Sequence, residues 1–321
     1  MLRSQCVTAA GIVAGYAADS MFGDPRRAHP VALFGKAAGA LEKIMWADSR
    51  QKGSLYAGVC AGGAAGAGFA VTWLTRRARH SPLAGFAATA TATWVVLGGR
   101  GLAKEGTAMA ALLEAGDVAA ARSRLSHLCG RDAASLDAEG LARAATESIA
   151  ENTSDAVVAP LVWGAIAGVP GLLGYRALNT LDAMVGHRSP RHARFGWASA
   201  RADDIANLLP ARLSAAAATA AAPLVGGSAR KALRAWRRDA AKHPSPNAGQ
   251  VEAAFAGALG VRLGGVTSYG GKAERRGPFG DGEGPEPADL RRAVRLSRLT
   301  GLAALAVTAV TVTASAAVAR R

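Results

Sequence analysis

The chain has 321 residues, 50% hydrophobic but only 5% aromatic, and a formal net charge of +15 at pH 7. Apolar content drawn from Ala, Val and Leu rather than from aromatic rings points to lipid rather than to a soluble core. The positive balance fits loops held at an anionic cytoplasmic face or a phosphate-rich substrate; without a nucleic-acid motif or stacking pattern, a nucleic-acid partner is excluded, and three scattered cysteines exclude a disulfide framework.

In chain order, residues 5–22 form an apolar run interrupted by Asp19, which lies at a membrane surface or faces a polar interior. Arg3 ahead of this run suggests a secretory signal, but no convincing cleavage site follows, so the segment is read as part of the mature protein. Residues 54–75, 81–99, 156–175, 213–229 and 299–319 carry no Asp, Glu, Lys or Arg. Each approaches the roughly 20 residues that a helix needs to cross hydrocarbon, and 213–229 is the weakest of them. The expected fold is all-α and multi-pass, with about four to six membrane segments. Gly58, Gly62 and Gly66, spaced four apart, predict a close approach by another helix.

Residues 137–155 predict a helix capped by Asp137, with Glu147, Glu151 and Asp155 on one face. A row of like charges is kept because it is solvated or because a cation sits on it, and oxygen ligands of this kind suit Mg²⁺. Strict alternation of spans would put the polar stretches 100–155 and 176–212 on opposite sides of the membrane. Pro160 and Pro170 lie in the intervening segment, so 156–175 is expected to dip in and return, leaving both stretches on one face.

Over 175–191, Asn179, Asp182 and Gly186 share a helical face opposite Leu178, Leu181 and Val185. His187, Arg188 and Arg191 follow at the helix end, where they meet the dipole and headgroups or bind phosphate. Residues 195–212 give another polar face, pairing Arg201 with Asp204 and Asp203 with Asn207, as an ion-pair network or a second metal site. Over 243–271, Asn247 reads as an N-cap with Gln250 as its capping-box partner, and Gly260 ends the helix. That N-terminus, with the glycines at 264, 265, 270 and 271, could also hold an anion, although no Walker A loop is present. Residues 272–287 read as a flexible loop, and 289–298 as a basic surface anchor.

Five ordered blocks carry a resemblance: DSMFGDPRRAHPV from Asp19, ESIAENTSDAVVAPLVW from Glu147, YRALNTLDAMVGHR from Tyr175, FGWASARADDIANLLPAR from Phe195 and SPNAGQVEAAFAGALGVRLGG from Ser245. Together they resemble the CobD/CbiB family of cobalamin biosynthesis, the adenosylcobinamide-phosphate synthases, nearly end to end over a single membrane domain, 1–321. The resemblance implies ATP-dependent amide formation between adenosylcobyric acid and (R)-1-aminopropan-2-ol or its O-phosphate. It also implies corrinoid and amino-alcohol substrates, a multi-pass protein of the cell membrane with a cytoplasmic active site, and association with other proteins of the pathway.

Such chemistry calls for Mg²⁺, cations on the moving phosphoryl group and a base. Residue chemistry then makes Glu147, Glu151, Asp155, Asp182, Asp203 and Asp204 the candidate metal ligands. Arg188, Arg201, Arg212 and Arg262 are the candidate phosphate or carboxylate clamps, with Glu147, Glu151, His187 and Arg188 forming the catalytic group and His187 its base. Asn152, Asn179, Asn207 and Asn247 would orient corrinoid amides or ATP, and Asp24 and His29 would complete the site from the first loop. A Mg-dependent membrane prenyltransferase competes weakly, because DDIAN at Asp203 matches only part of its pattern. A non-catalytic corrinoid-binding or transport protein is the other alternative.

Overall fold

The computed structural model describes residues 2–25, 29–78, 81–187, 189–269 and 272–318. In chain order the elements are α1 (Leu2–Phe22), α2 (Pro30–Met45), α3 (Arg50–Arg77), α4 (Ser81–Val96), α5 (Gly99–Glu114), α6 (Val118–Leu125), α7 (Ala138–Thr153), α8 (Ala159–Leu181), α9 (Trp197–Ala206), α10 (Leu208–Ala221), α11 (Ala229–Asp239), α12 (Ala248–Leu259), β1 (Leu263–Tyr269), β2 (Lys272–Phe279) and α13 (Pro287–Val318). Among the described residues, five helical stretches are long and apolar enough to cross a membrane: Arg50–Arg77, Pro82–Glu114, Ala138–Gly186, Leu208–Val225 and Pro287–Ala314. They overlap the five charge-free runs, and the all-α, multi-pass reading holds.

The chain divides into two compact units, each drawn from separated stretches: Met1–Gly98, Ala159–Asn207 and Leu305–Arg321 form one, and Gly99–Val158 with Leu208–Ala304 the other. In the first, α1 packs along α4. The close approach expected at Gly58, Gly62 and Gly66 is not made there: among the described residues nothing lies within 4 Å of a Cβ at any of the three. It occurs instead at Gly11 and Gly15, where a Cβ would stand 2.7 Å and 2.5 Å from the Cβ atoms of Thr89 and Thr93. Within α3 the close approach falls at Gly68, where a Cβ would stand 2.6 Å from the Cα of Pro170 in α8.

The segment after Ala159 does turn back on itself. Gly168 leaves helical geometry at φ 61° and ψ −141°, and Pro170 follows it. A Cβ on Gly171 would overlap the carbonyl oxygen of Trp163, eight residues earlier. In a straight helix those positions lie about 12 Å apart. Both arms then reach the end of α9: Trp163 Nε1 donates to Ala206 O at 3.0 Å and the Tyr175 hydroxyl to Asn207 Oδ1 at 2.9 Å.

The second unit is built around α12, in which every residue but Gln250 is buried. Phe255 and Leu259 of α12 share a core with Met109, Leu141, Ile149 and Leu296. The predicted N-cap is corrected here. Asn247 makes no side-chain capping bond, Ser245 Oγ accepts from the amides of Asn247 and Ala248 at 3.2 Å, and Gln250 Oε1 accepts from Trp236 Nε1 at 2.8 Å. Gly260 closes the helix in the left-handed conformation, as expected.

The 272–287 segment is likewise not wholly a loop, because residues 272–279 pair antiparallel with β1, Gly265 facing Arg276 and Thr267 facing Glu274. Gly and Pro hid the strand in the sequence. Nor is the start of α13 only a surface anchor: Arg292 donates to Val225 O and Leu259 O, each at 3.0 Å, and so satisfies carbonyls at two helix ends.

Candidate functional site

In the second unit, Asp137 accepts from Gly140 N at 2.8 Å and caps α7, as its sequence predicts. The helix carries Glu147 into the interior. Arg131 Nη2 lies 2.6 Å from Glu147 Oε2, with both side chains buried, and Gly264 N of β1 donates to Oε1 at 2.7 Å. Both carboxylate oxygens are thus engaged by protein donors, which makes Glu147 an anchor for loop and hairpin more than an open metal ligand. Ser148 and Asn152 continue this polar stretch: Ser148 Oγ donates to Leu128 O at 2.7 Å, and Asn152 Nδ2 to Ser148 O at 2.9 Å. Glu151 and Asp155 are half-buried, and Asp155 stands in a widened turn, Ser154–Val158, between α7 and α8.

Glu252 is the residue that sequence reasoning missed. It is fully buried on the Ala-rich α12, and neither carboxylate oxygen makes a hydrogen bond among the described residues. His243 Nε2 lies 3.7 Å from Glu252 Oε1, while His243 Nδ1 accepts from Ser245 N at 2.8 Å. Burial, then the charges of Glu147 and Glu151, push the Glu252 carboxyl well above the usual carboxylate range against the pull of Arg276 and Arg131. A lone acid inside a run of Ala, Val and Phe is the signal that could have found it. Asn247, at the start of the same helix, is also buried.

The first unit holds a second acidic centre. Asn207 Nδ2 donates to Asp203 Oδ2 at 3.0 Å while its Oδ1 accepts from Tyr175, so a buried chain of Tyr175, Asn207 and Asp203 joins α8 to the end of α9. Burial and the nearby Asp182 carboxylate push Asp203 up to about 7, opposed by Asn207 and Asn179. Burial also raises Asp204, although Arg201 pairs with it at 3.2 Å. Two carboxylates that repel one another are oxygen donors that suit a hard divalent cation, and the Asn207 and Asn179 side chains steady Asp203 by hydrogen bonds. Among the described residues no three His, Cys, Asp or Glu side chains already converge as a metal cage.

The remaining predicted residues are dispersed. His187 is exposed, its ring edge-on to His192 at 5.2 Å, and Arg188 lies outside the described residues. Arg212 is exposed and donates to Leu208 O of its own helix at 2.7 Å. Arg262 pairs loosely with Glu283 at 3.9 Å. Asn179 Oδ1 accepts from Arg176 at 3.2 Å. Asp24 and His29 face each other at 3.7 Å, and His29 Nδ1 accepts from Val31 N at 3.2 Å to cap α2.

Residues 12–297 match the family described as CobD/Cbib protein. The chain is 57% identical over 291 residues to the cobalamin biosynthesis protein CobD of Mycobacterium tuberculosis, covering 91% of each chain. It is 45% identical over 285 residues to the protein of the same name from Geobacter metallireducens, covering 87% of this chain and 88% of that one. No solved structure matches. The extent of these matches and the order of the five blocks lead to one conclusion: the chain belongs to the CobD/CbiB family of cobalamin biosynthesis.

Proposed function

We propose that the protein is an ATP-dependent ligase that joins a side-chain carboxylate of adenosylcobyric acid to the amine of (R)-1-aminopropan-2-ol or its O-phosphate, with its active site on the cytoplasmic face. The observation that carries this reading is where the family's blocks place their polar residues. Glu147, Asp203, Asn207, Asn247 and Glu252 are all buried, Glu252 in an otherwise apolar helix. Burying such groups is costly, and a protein keeps them where ions, phosphates and amides must be bound away from water.

A carboxylate is a poor electrophile. In the expected route its oxygen attacks a phosphorus of ATP, forming an acyl phosphate and releasing the nucleotide. The amine then attacks the acyl carbon, phosphate departs with the bonding pair, and the ammonium proton passes to a base. His187, exposed beside His192, is the imidazole that would serve as that base. Asp182 and Asp203 are the residues best suited to hold Mg²⁺, which would neutralise charge on the transferred phosphoryl oxygens. Glu147 and Arg131 hold the hairpin in place through Gly264.

The test supplies purified protein with ATP, Mg²⁺, adenosylcobyric acid and each amine. Amide formation coupled to nucleotide cleavage is expected, whereas corrinoid binding without turnover would replace the ligase reading with that of an assembly protein.

A further inference from the structure

The basic face of α11 has no part in the proposed reaction. Arg230, Lys231, Arg234 and Arg237 are exposed, and at about 100° per residue they fall within an arc of about 120°. Ala232, Ala235 and Asp239 are buried on the opposite side. There a Cβ on Gly257 of α12 would stand 2.7 Å from the Ala232 Cα and 2.8 Å from the Ala235 Cβ, so α11 is seated closely and cannot turn its cations inward. Asp239 and Asp281 engage Arg238, and Asp239 also engages Lys242. Among the described residues no carboxylate pairs with the other four cations.

This arrangement works against the helix itself. Arg230 and Lys231 lie in the first turn, where the helix dipole disfavours cations. Arg234 lies three or four residues from Arg230, Lys231 and Arg237, spacings at which like charges repel. Helix stability therefore does not account for the pattern, whereas an anion outside the chain does.

The turn before α11 shows where that anion lies. Pro223 and Leu224 are exposed there, while Val225 O and Leu259 O accept from Arg292 of α13. Arg292 precedes Leu299, the start of the charge-free run, by seven residues, about 10 Å along the helix. A headgroup layer is about 5–7 Å deep, and long basic side chains reach across the remainder. An exposed leucine beside a row of cations, near the level where a helix enters hydrocarbon, is the pattern of a membrane-surface contact rather than of a pocket for a soluble anion.

We propose that the basic face of α11 docks on anionic phospholipid headgroups, with Leu224 entering the interface beside it. The docking holds the second unit at the bilayer through a surface separate from its buried acids. It rests on neither ATP nor the ligase reading.

Full-length protein in neutral detergent is titrated with dioctanoyl phosphatidylglycerol, dioctanoyl phosphatidylcholine and inorganic phosphate, with binding followed by thermophoresis. Phosphatidylglycerol is expected to bind at least about fivefold tighter than phosphatidylcholine, the scale of one cation at an anionic surface, and salt should weaken that preference. Arg230→Gln, Lys231→Gln, Arg234→Gln and Arg237→Gln together should remove most of it, whereas Arg230→Lys, Arg234→Lys and Arg237→Lys together should retain it. A matched loss of exposed cations elsewhere, Lys43→Gln, Lys52→Gln, Arg76→Gln and Lys104→Gln, should leave most of it in place. The four α11 positions are exposed, so packing is preserved, and an unfolding midpoint no lower than that of the unaltered protein verifies this.

A preference unmoved by neutralising α11 overturns the proposal, as does an equal loss in the matched variant. Inorganic phosphate that binds as tightly as phosphatidylglycerol would assign the face to a soluble anion. Absence of any preference would leave it to solvent or to an acidic protein surface, and either result refutes membrane docking.

Discussion

Arg131 and Glu147 form a buried ion pair at 2.6 Å, and the second carboxylate oxygen of Glu147 receives the amide of Gly264, 117 residues further along the chain. One side chain thus ties a loop, a helix and a hairpin together. Removing one partner of a buried pair strands the other charge, at about 3–5 kcal/mol, whereas removing both costs less. Glu147→Ala and Arg131→Ala should each lower the unfolding midpoint sharply, and the double variant Arg131→Met with Glu147→Met should recover part of the loss. Additive losses in the double variant would show that the pair is not coupled.

Glu252 gives a pH test with a definite sign. Its carboxyl is raised in the folded protein by burial and by Glu147 and Glu151, against Arg276 and Arg131, and His243 faces it. The folded state therefore holds the proton more tightly than the unfolded chain. Stability from this group is greatest at or below the ordinary carboxylate range and falls as pH rises through the raised value. Glu252→Gln keeps the shape without the ionisation. Its unfolding midpoint should match that of the unaltered protein near about pH 5 and exceed it near about pH 9, and a constant gap would contradict this.

The turn at Gly168 is equally open to test. Its φ of 61° with ψ of −141° is costly for any residue with a Cβ, although nothing crowds a Cβ built there. Gly168→Ala should therefore destabilise through backbone strain alone, by about 1–3 kcal/mol. Ala167→Gly, one residue away, changes no such constraint and serves as control. A Gly168→Ala protein with unaltered unfolding would mean that the chain does not reverse there.

The turn was legible in the sequence because Pro160, Pro170 and the charge-free run together break a helix that would otherwise cross. The membrane helices are legible from their charge-free length, and the Asp203–Asn207 and Arg201–Asp204 pairs from i+3 and i+4 spacing, which alone brings those side chains together. Glu252 was not. It lies on a helix whose apolar pattern reads as packing, and its neighbours Glu147, Glu151 and Arg276 come from distant stretches of chain. The strand over 272–279 is not legible in the sequence because its partner, β1, contains two glycines and gives little alternation. Asn247 has the residue type of a cap, yet Ser245 accepts from the amides of Asn247 and Ala248.

Asp203 connects pH with metal binding. Burial and Asp182 raise its carboxyl to about 7, so the folded state favours the neutral acid and stability declines as pH climbs from the ordinary carboxylate range through about 7. Asp203→Asn retains an oxygen acceptor for Asn207 and should remove that decline. A divalent cation binds the ionised form and competes with the proton, so Mg²⁺ should raise the unfolding midpoint of the unaltered protein more at about pH 8 than at about pH 6. In Asp203→Asn most of this Mg²⁺ effect should vanish, while Glu147→Gln, whose oxygens are engaged by Arg131 and Gly264, should keep it. If the outcomes are exchanged, with Glu147→Gln losing the Mg²⁺ response and Asp203→Asn keeping it, the cation belongs on α7 and Asp203 serves only, with Asn207 and Tyr175, to join α8 to α9.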